Sequence, residues 1–288
     1  MLRFSCLLLA ILILLPISAG AEEVQLLLLV GTDIQGNPVE DSADKAISRA
    51  DVILILAVKT GLPDIRVLNI ERDYLVELPD GVGSNKLATA TYFGGPELLL
   101  TTINELFDIE IRHFIQTDIE SIPAIIDSIG GIDVAVFEEE VIGFGKTYFV
   151  EPVLFPGVNH FNGIQARNFI RFRDDALNAV ESNKQRNERH MRVLSALADK
   201  AVLLSLEDTL NALEQISNLV ATNVSLYDLM LLLQKMSVPG NFMDRLDFMN
   251  SPDGVYTIRQ VKMHKVVVAE NMEEEQRKAQ DFLFYPTR

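Results

Sequence analysis

The sequence predicts an α/β protein in which helices cover a layered β-sheet. Short, β-branched apolar runs indicate buried strands, and they alternate with stretches of helical spacing between about residues 96 and 136. Alternation of strand, helix and strand is typical of α/β sheets. The chain has 288 residues, of which 48% are hydrophobic, so it can bury a substantial core, and we expect one main domain.

Three apolar runs in the first part of the chain predict buried strands. The continuous apolar run at 24–30 ends at Gly31, which predicts a strand buried on both faces and a following loop that carries Asp33. Apolar runs at 52–58 and 65–70 flank turn-forming residues, which predicts a β-hairpin.

The middle of the chain carries signals for helix ends. Pro96 suits the first turn of a helix that runs to about residue 107. Asp118 can cap a second helix at its start, and Gly130 with Gly131 can end it. The elements predicted there are a strand at 113–116, a helix at 119–129 and a strand at 132–136.

The later part of the chain is mainly helical in its spacing. Asn162 and Gln165 have the form of a capping box, which predicts a helix at 163–172. Beyond it we predict a long helix at 183–204, helical stretches at 206–220 and 226–236, and a late strand at 261–268.

Residues 1–21 have the pattern of an export signal. Arg3 provides a positive start, an apolar stretch follows, and Ala19 and Ala21 offer a small-residue cleavage site. The alternative is an uncleaved membrane anchor. Either alternative places the body of the chain outside the cytoplasm, on the membrane's extracellular face or secreted. The only cysteine, Cys6, lies in this segment, so the body has no thiol for a disulfide or a cysteine nucleophile.

The overall charge argues against nucleic acid as a partner. Lys and Arg total 25 against 41 Asp and Glu, a formal net charge of -16, and such a chain repels a polyanion unless basic groups cluster locally.

Arginines cluster locally in this acidic chain. Guanidinium groups match phosphate oxygens in pairs, so converging arginines suit a pyrophosphate. The alternative is a solvated helix face that forms ion pairs with Glu181 and Glu188. The clustered residues are Arg167, Arg171, Arg173, Arg186, Arg189 and Arg192.

Two aspartates stand at the ends of predicted strands. Asp33 and Asp51 could together hold one hard divalent cation against phosphate oxygens, and Mg²⁺ is the natural candidate. The alternative is that Asp33 is an ordinary turn residue.

These features occur within a series of motifs that resembles the LytR-CpsA-Psr family over roughly residues 26–236. Each motif is weak alone, but their order makes coincidence improbable. The matching segments are Leu26 to Asp33, Arg49-Ala50-Asp51-Val52, Ile70-Glu71-Arg72-Asp73, Asn85-Lys86-Leu87, Tyr92 to Pro96, Gly130 to Val134, Phe155-Pro156-Gly157, Phe161 to Ala166, Arg171-Phe172-Arg173-Asp174, the helix with Arg186 and Arg189, and Thr222 to Ser225.

The resemblance implies an α-β-α sandwich around a mixed central sheet, with an apolar pocket for a polyprenyl chain. Together with the export pattern, it predicts a signal or anchor at 1–21, a catalytic domain at 22–240 and a C-terminal extension of that domain at 241–288. It implies that Mg²⁺ is held by Asp33 and Asp51. The expected catalytic residues are Arg72, Asp73, Arg171, Arg173 and Asp174, and the expected pyrophosphate-binding residues are Arg49, Lys86, Arg186, Arg189 and His190.

The implied activity is a Mg²⁺-dependent phosphotransferase that moves a glycopolymer from a polyprenyl-pyrophosphate carrier to a wall acceptor such as peptidoglycan at the membrane surface. A general base could be Asp73, Asp174 or neither. Two alternatives remain open at this point: a non-catalytic binding protein for the lipid carrier, and a pyrophosphatase acting on it. The chain departs from the family pattern at Glu71, where Pro is common, and at His190, where Gln is common.

Overall fold

The computed structural model describes residues 24–35, 47–59, 62, 64–79, 81–141, 154–173, 179–229, 232, 242–252, 256–261 and 264–284. The expected export signal at 1–21 and the expected catalytic residue Asp174 lie outside these ranges. Across them, no helix combines the length and the apolar character needed to cross a membrane.

Strands and helices alternate along the described chain. The strands are β1 (Val24–Gln35), β2 (Ile47–Lys59), β3 (Ile65–Ile70), β4 (Leu75–Leu78), β5 (Gly83–Lys86), β6 (His113–Asp118), β7 (Ile132–Val136), β8 (Gly157–Phe161), β9 (Val220–Thr222), β10 (Leu246–Ser251), β11 (Tyr256–Val261) and β12 (His264–Ala269). The helices are α1 (Ala90–Phe107), α2 (Ile122–Ser128), α3 (Gly163–Arg171), α4 (Ala179–Ala201), α5 (Leu206–Ile216) and α6 (Met272–Leu283).

A six-stranded mixed sheet forms the centre, in the order β10-β3-β2-β1-β6-β9. Strands β1, β2 and β3 are antiparallel neighbours, which confirms the predicted hairpin. Strand β6 is parallel to β1, and β10 is parallel to β3. The mixed sheet predicted through the resemblance is therefore confirmed. Three two-stranded ribbons, β4–β5, β7–β8 and β11–β12, lie outside this sheet.

The sheet is buried on both faces, as the apolar run of β1 predicts. Leu28 belongs to a core cluster that also contains Ile103 of α1 and Leu283 of α6. Its neighbour Leu27 belongs to a second cluster with Met191 of α4. Successive strand residues point to opposite faces, so the helices lie in two layers around the sheet. Each fully buried Leu or Ile contributes roughly 1.5–3 kcal/mol.

Local helix signals are confirmed where the sequence carries them. The amide of Gln165 donates to the side chain of Asn162 at 2.9 Å, and the amide of Asn162 donates to the side chain of Gln165 at 2.9 Å, which closes the predicted capping box. Asp118 accepts from the amide of Glu120 at 2.8 Å. Gly130 and Gly131 have φ of 78° and 85°, the left-handed conformation that ends a helix.

Several predicted boundaries are wrong. Helix α1 begins at Ala90 rather than Pro96, although the backbone is non-helical at Gly94 and Gly95, so Pro96 opens its second straight section. Helix α5 ends at Ile216 because Val220 enters the sheet beside β6. The late strand begins at His264, and helix α6 was not predicted at all. The stretch predicted to be helical at 226–236 is described only for 226–229 and 232.

Candidate active site

A polar cavity of about 120 Å³ lies where the end of β3 meets the start of α4. It contains five of the residues predicted for the site, drawn from four separate motifs. Its lining consists of Asp51, Asn69, Ile70, Glu71, Arg72, Asp73, Arg173, Arg186 and Asn187. The structure therefore brings together motifs that are up to 136 positions apart in the chain, from Asp51 to Asn187.

A β-bulge presents Asp51 to this cavity. In the β1–β2 ladder Gly31 pairs with Val52 and Thr32 pairs with Ala50, so Asp51 is the extra residue between them. A bulge bends its strand and redirects the side chain. A Cβ at Gly31 would lie 3.1 Å from the Val52 Cβ, so glycine suits this close approach. The sequence predicted Asp33 on a loop after β1, but Asp33 lies within the strand, opposite Arg49.

The carboxylate of Asp51 is paired with Arg72. The Arg72 guanidinium donates to Asp51 Oδ1, and both side chains are partly exposed to the cavity. Burial lowers the pKa of Arg72, but the nearby Asp51 charge and hydrogen bond outweigh it, and the pKa is raised overall. Arg72 therefore stays a cation, and only one Asp51 oxygen is engaged by it.

Asp73 is held in a second ion pair. Lys86 Nζ lies 2.7 Å from Asp73 Oδ1. Backbone bonds keep the two segments together, since the Leu87 amide donates to the Tyr74 carbonyl at 2.8 Å and the Ala88 amide donates to the Arg72 carbonyl at 3.0 Å. The predicted base candidate thus has a cationic partner in this structure.

The C-terminal part of the chain supports the same segment, although no motif there had been connected with chemistry. The Glu71 amide donates to the Ser251 carbonyl of β10 at 2.9 Å. The Val267 amide of β12 donates to the Asp73 carbonyl at 2.9 Å. Residues on both sides of Arg72 are therefore fixed by strands that lie far along the chain.

The Arg186 guanidinium is partly buried beside two other cations. Burial lowers its pKa to about 10, and the neighbouring cations Arg173 and Arg72 push in the same direction. Its Nε is buried without a hydrogen-bond partner among the described residues. The guanidinium groups of Arg72, Arg173 and Arg186 thus all line the polar cavity. A buried donor such as Arg186 Nε is costly unless a ligand accepts a hydrogen bond from it.

A second group of charges adjoins Asp33. Burial raises the pKa of the Asp33 carboxyl above its ordinary value of 3.8, and repulsion from Asp51 adds to the effect, while Arg171 opposes it. Glu120 accepts from Arg171 at 2.7 Å and from Arg167 at 2.6 Å. Glu120 was not singled out from the sequence, because nothing in its local pattern distinguishes it from a surface acid.

The remaining predicted residues lie in different surroundings. Arg49 is exposed. Arg189 is fully buried and does not line the polar cavity; it bonds to the Phe172 carbonyl at 2.7 Å. His190 lines a smaller adjoining cavity of about 20 Å³. That cavity shares Asp51 and Arg186 with the polar one and adds the apolar side chains of Val52, Leu54, Met191 and Phe248.

His190 is expected to make the stability of the fold depend on pH. Burial, with repulsion from Arg186, lowers the pKa of His190 from 6.5 to about 4. The Nε2 atom of His190 donates to the Ile170 carbonyl at 3.0 Å. The unfolded chain therefore takes up this proton first as pH falls, so stability drops between about pH 6.5 and pH 4, by at most about 1.4 kcal/mol per pH unit.

Denaturant unfolding of His190→Gln across that range tests the expectation. Glutamine keeps a donor for the Ile170 carbonyl but does not titrate, so the variant should lose this part of the pH slope. The exposed His160→Gln substitution is the control. An unchanged slope in His190→Gln would show that the histidine is protonated as readily in the folded as in the unfolded chain.

The chain matches a known family along most of its length. The profile of the LytR_cpsA_psr family matches residues 17–278. The polyisoprenyl-teichoic acid–peptidoglycan teichoic acid transferase TagT of Bacillus subtilis is 30% identical over 179 residues, which are 62% of this chain and 53% of TagT. The probable cell wall biosynthesis protein LcpB of Corynebacterium glutamicum is 29% identical over 207 residues, 68% of this chain and 46% of LcpB. The chain spans about half the length of the curated relatives it matches.

Solved structures share the fold. TagT bound to LI-WTA superposes with a TM-score of 0.68 at 21% identity, covering 94% of each chain. The LytR-CPS2A-psr family protein YwtF (TagT) with bound octaprenyl pyrophosphate lipid gives a TM-score of 0.65, also at 21% identity and 94% coverage of each chain. The resemblance seen in the motifs is confirmed, and the chain belongs to the LytR_cpsA_psr family.

Proposed function

We propose that this protein is a phosphotransferase that moves a glycan from a polyprenyl-pyrophosphate carrier to a cell-wall acceptor such as peptidoglycan. The observation that carries the proposal is the polar cavity, which gathers Arg72, Arg173 and Arg186 around Asp51. Guanidinium groups that line one cavity suit a ligand with a pyrophosphate head. The adjoining cavity of about 20 Å³ has room for about one water molecule, so the polyprenyl tail is proposed from the family and from the relatives named as polyisoprenyl-teichoic acid transferases.

Arginine geometry supports pyrophosphate as the head group. A guanidinium stays protonated at neutral pH and offers paired donors to phosphate oxygens. Arg173 repels the charged form of Arg186 and contributes to its lowered pKa. Binding a pyrophosphate would relieve this repulsion and provide an acceptor for the buried Nε of Arg186. The relatives named as teichoic acid transferases agree with this substrate class.

The proposed reaction is a substitution at phosphorus. An acceptor hydroxyl attacks the phosphorus that bears the glycan, and its bond to the bridging oxygen breaks. The electron pair leaves with the polyprenyl phosphate. Arg72, Arg173 and Arg186 would stabilise the charge that develops on the leaving group, the term that dominates catalysis of phosphoryl transfer. The hydroxyl proton would pass to solvent or to a carboxylate, for which Asp73 and Asp174 are the candidates; Asp73 would first have to leave Lys86.

Mg²⁺ is a further part of the proposal. Asp33 and Asp51 are close enough for Asp51 to raise the pKa of Asp33, and Asp51 has one oxygen outside its pair with Arg72. Two such carboxylates fit a hard cation that takes its other oxygens from pyrophosphate and water. A bound Mg²⁺ would neutralise phosphate charge. Arg72 would then orient Asp51, and Arg171 would balance the charge near Asp33.

The place of action is also a proposal. The apolar residues and cleavage pattern at 1–21 favour export, and the proposed substrate class supports action at the outer surface of the membrane.

A transfer assay with the full chain tests the function. Detergent-dispersed polyprenyl-pyrophosphate glycan is incubated with peptidoglycan fragments and Mg²⁺, and the products are identified by mass spectrometry. We expect glycan joined to peptidoglycan through a phosphodiester, together with polyprenyl phosphate. Release of free glycan phosphate without coupling would instead identify a pyrophosphatase, and lipid that binds and stays intact would identify a binding protein.

A further inference from the structure

Three charged side chains are buried beneath the arginine segment that follows α3. Arg189 and Arg192 of α4 expose 0% and 8% of their surface, and Glu140, which follows β7, exposes 6%. We name these three residues the buried Arg–Glu cluster. Charged side chains are rarely buried unless they are paired, so the cluster needs an explanation beyond packing.

Hydrogen bonds connect the cluster to the end of β7. Its carboxylate accepts two hydrogen bonds from Arg192, one of them at 2.8 Å, and another from the Phe137 amide at 2.9 Å. Arg192 also donates to the Ala135 carbonyl at 2.6 Å. The Arg192 guanidinium therefore has a fixed position, and with it the carboxylate that faces Arg189.

Arg189 connects the cluster to the segment that carries the site arginines. Its Nη1 lies 3.5 Å from Glu140, and its Nη2 donates to the Phe172 carbonyl at 2.7 Å. The next residue, His190, donates to the Ile170 carbonyl at 3.0 Å. Two consecutive residues of α4 thus hold the carbonyls on either side of Arg171.

The position of Phe172 determines where the side chains of Arg171 and Arg173 point. Its ring is buried, and the Arg189 guanidinium lies over it, 5.1 Å from the ring centroid. Its backbone leaves the helix with ψ of 134°, an extended conformation. Side chains alternate in extended backbone, so fixing Phe172 inward sends Arg171 and Arg173 outward, and both are exposed.

We propose that Glu140 and Arg189 are positioning residues for Arg171 and Arg173: Glu140 holds Arg189, and Arg189 holds the Phe172 carbonyl. This inference rests on the proposed function, in which Arg173 binds the pyrophosphate head and Arg171 balances the charge near Asp33. It assigns Arg189 an indirect role, although the family resemblance implied direct contact with pyrophosphate. Glu140 belongs to none of the motifs that carried the resemblance.

The sign of the Glu140→Gln effect distinguishes positioning from simple charge. Removing a carboxylate near an anion site makes the local potential more positive, which by itself strengthens anion binding. If Arg189 bound pyrophosphate directly, losing its competing carboxylate would also leave affinity equal or higher. Positioning predicts the opposite result, because Arg189 loses its anchor and the Phe172 carbonyl loses a fixed donor.

Calorimetric titration of the full chain with inorganic pyrophosphate tests the proposal, at a temperature where every variant is folded by circular dichroism. We expect Glu140→Gln and Arg189→Met each to bind roughly tenfold more weakly or worse than the unmodified protein. Arg189→Lys should lie between them and the unmodified protein, since one ammonium keeps the charge but not the two-point contact.

The control is Phe107→Leu, a core substitution between α1 and α6 on the other face of the sheet. Affinity is measured per folded molecule, so this variant should melt earlier yet bind pyrophosphate normally. Unchanged or stronger binding in Glu140→Gln overturns the positioning role, and Arg189→Lys gives a second test if Arg189→Met does not fold. Absence of pyrophosphate binding in the unmodified protein would contradict the proposed function itself.

Discussion

Replacing Arg171 or Arg173 by alanine is expected to lower glycan transfer by roughly a hundredfold or more while the fold is retained. Arg173 lines the polar cavity, and the charge of Arg171 acts on Asp33. Both side chains are exposed, so their loss removes little packing, and a surface ion pair contributes at most about 1 kcal/mol. The measurement combines the transfer assay with thermal melting.

Arg167→Ala is the matched control. Arg167 lies on the same helix as Arg171 and bonds to the same Glu120 carboxylate, but its charge is not among those that act on Asp33, and it does not line the polar cavity as Arg173 does. It should therefore keep near-normal transfer. Lysine at 171 or 173 should restore part of the activity, because a point charge keeps the attraction but loses the paired donors. Full activity in both alanine variants would remove the arginines from the proposed site.

Replacing Asp33 or Asp51 by alanine is expected to abolish the dependence of pyrophosphate binding on Mg²⁺. A hard cation needs anionic oxygens from the protein side, and the two carboxylates lie together at the bulged part of the β1–β2 ladder. Calorimetry with and without Mg²⁺ measures the effect. Asp133→Ala, which removes an exposed carboxylate paired with His160, serves as the control.

The pH dependence of that binding should follow Asp33. Its pKa is raised above 3.8, so the cation is expected to be lost as pH falls through this raised value, at higher pH than for an ordinary aspartate.

In the absence of Mg²⁺ the same shift means that ionised Asp33 disfavours folding at neutral pH. Asp33→Ala should therefore melt no earlier than the unmodified protein there. Identical Mg²⁺-dependent binding in both alanine variants would leave these residues without a metal role.

Features that depend on neighbouring residues could be predicted from the sequence. The capping box of Asn162 and Gln165 lies within four residues, and the two-sided burial of β1 follows from one continuous apolar run. The polar cavity contains Asp51, Arg72 and Arg173, which the motifs had singled out. Arg72 follows the end of β3 and Arg173 follows the end of α3, as the predicted element ends suggest.

Features that depend on distant partners could not be predicted in this way. The bulge at Asp51 is a property of the β1–β2 register, and an apolar pattern does not specify where a ladder skips a residue. Arg189 and Arg192 share a helix with Arg186, yet they are buried against Glu140. Glu140 lies 52 positions before Arg192 in the sequence. Their spacing alone is equally compatible with a solvated face or a ligand site.

The bonds from β10 and β12 to the Glu71–Asp73 segment have a consequence for the timing of folding. Asn69 contacts Asn250 across 181 positions, and closing so long a loop is slow compared with forming local helices. While the chain is being made, the residues around Arg72 lack their final supports until residues 246–267 have emerged. A nascent or C-terminally clipped chain could thus hold most of its core and still have no assembled phosphate site. The chain would therefore become able to bind phosphate only late in its synthesis.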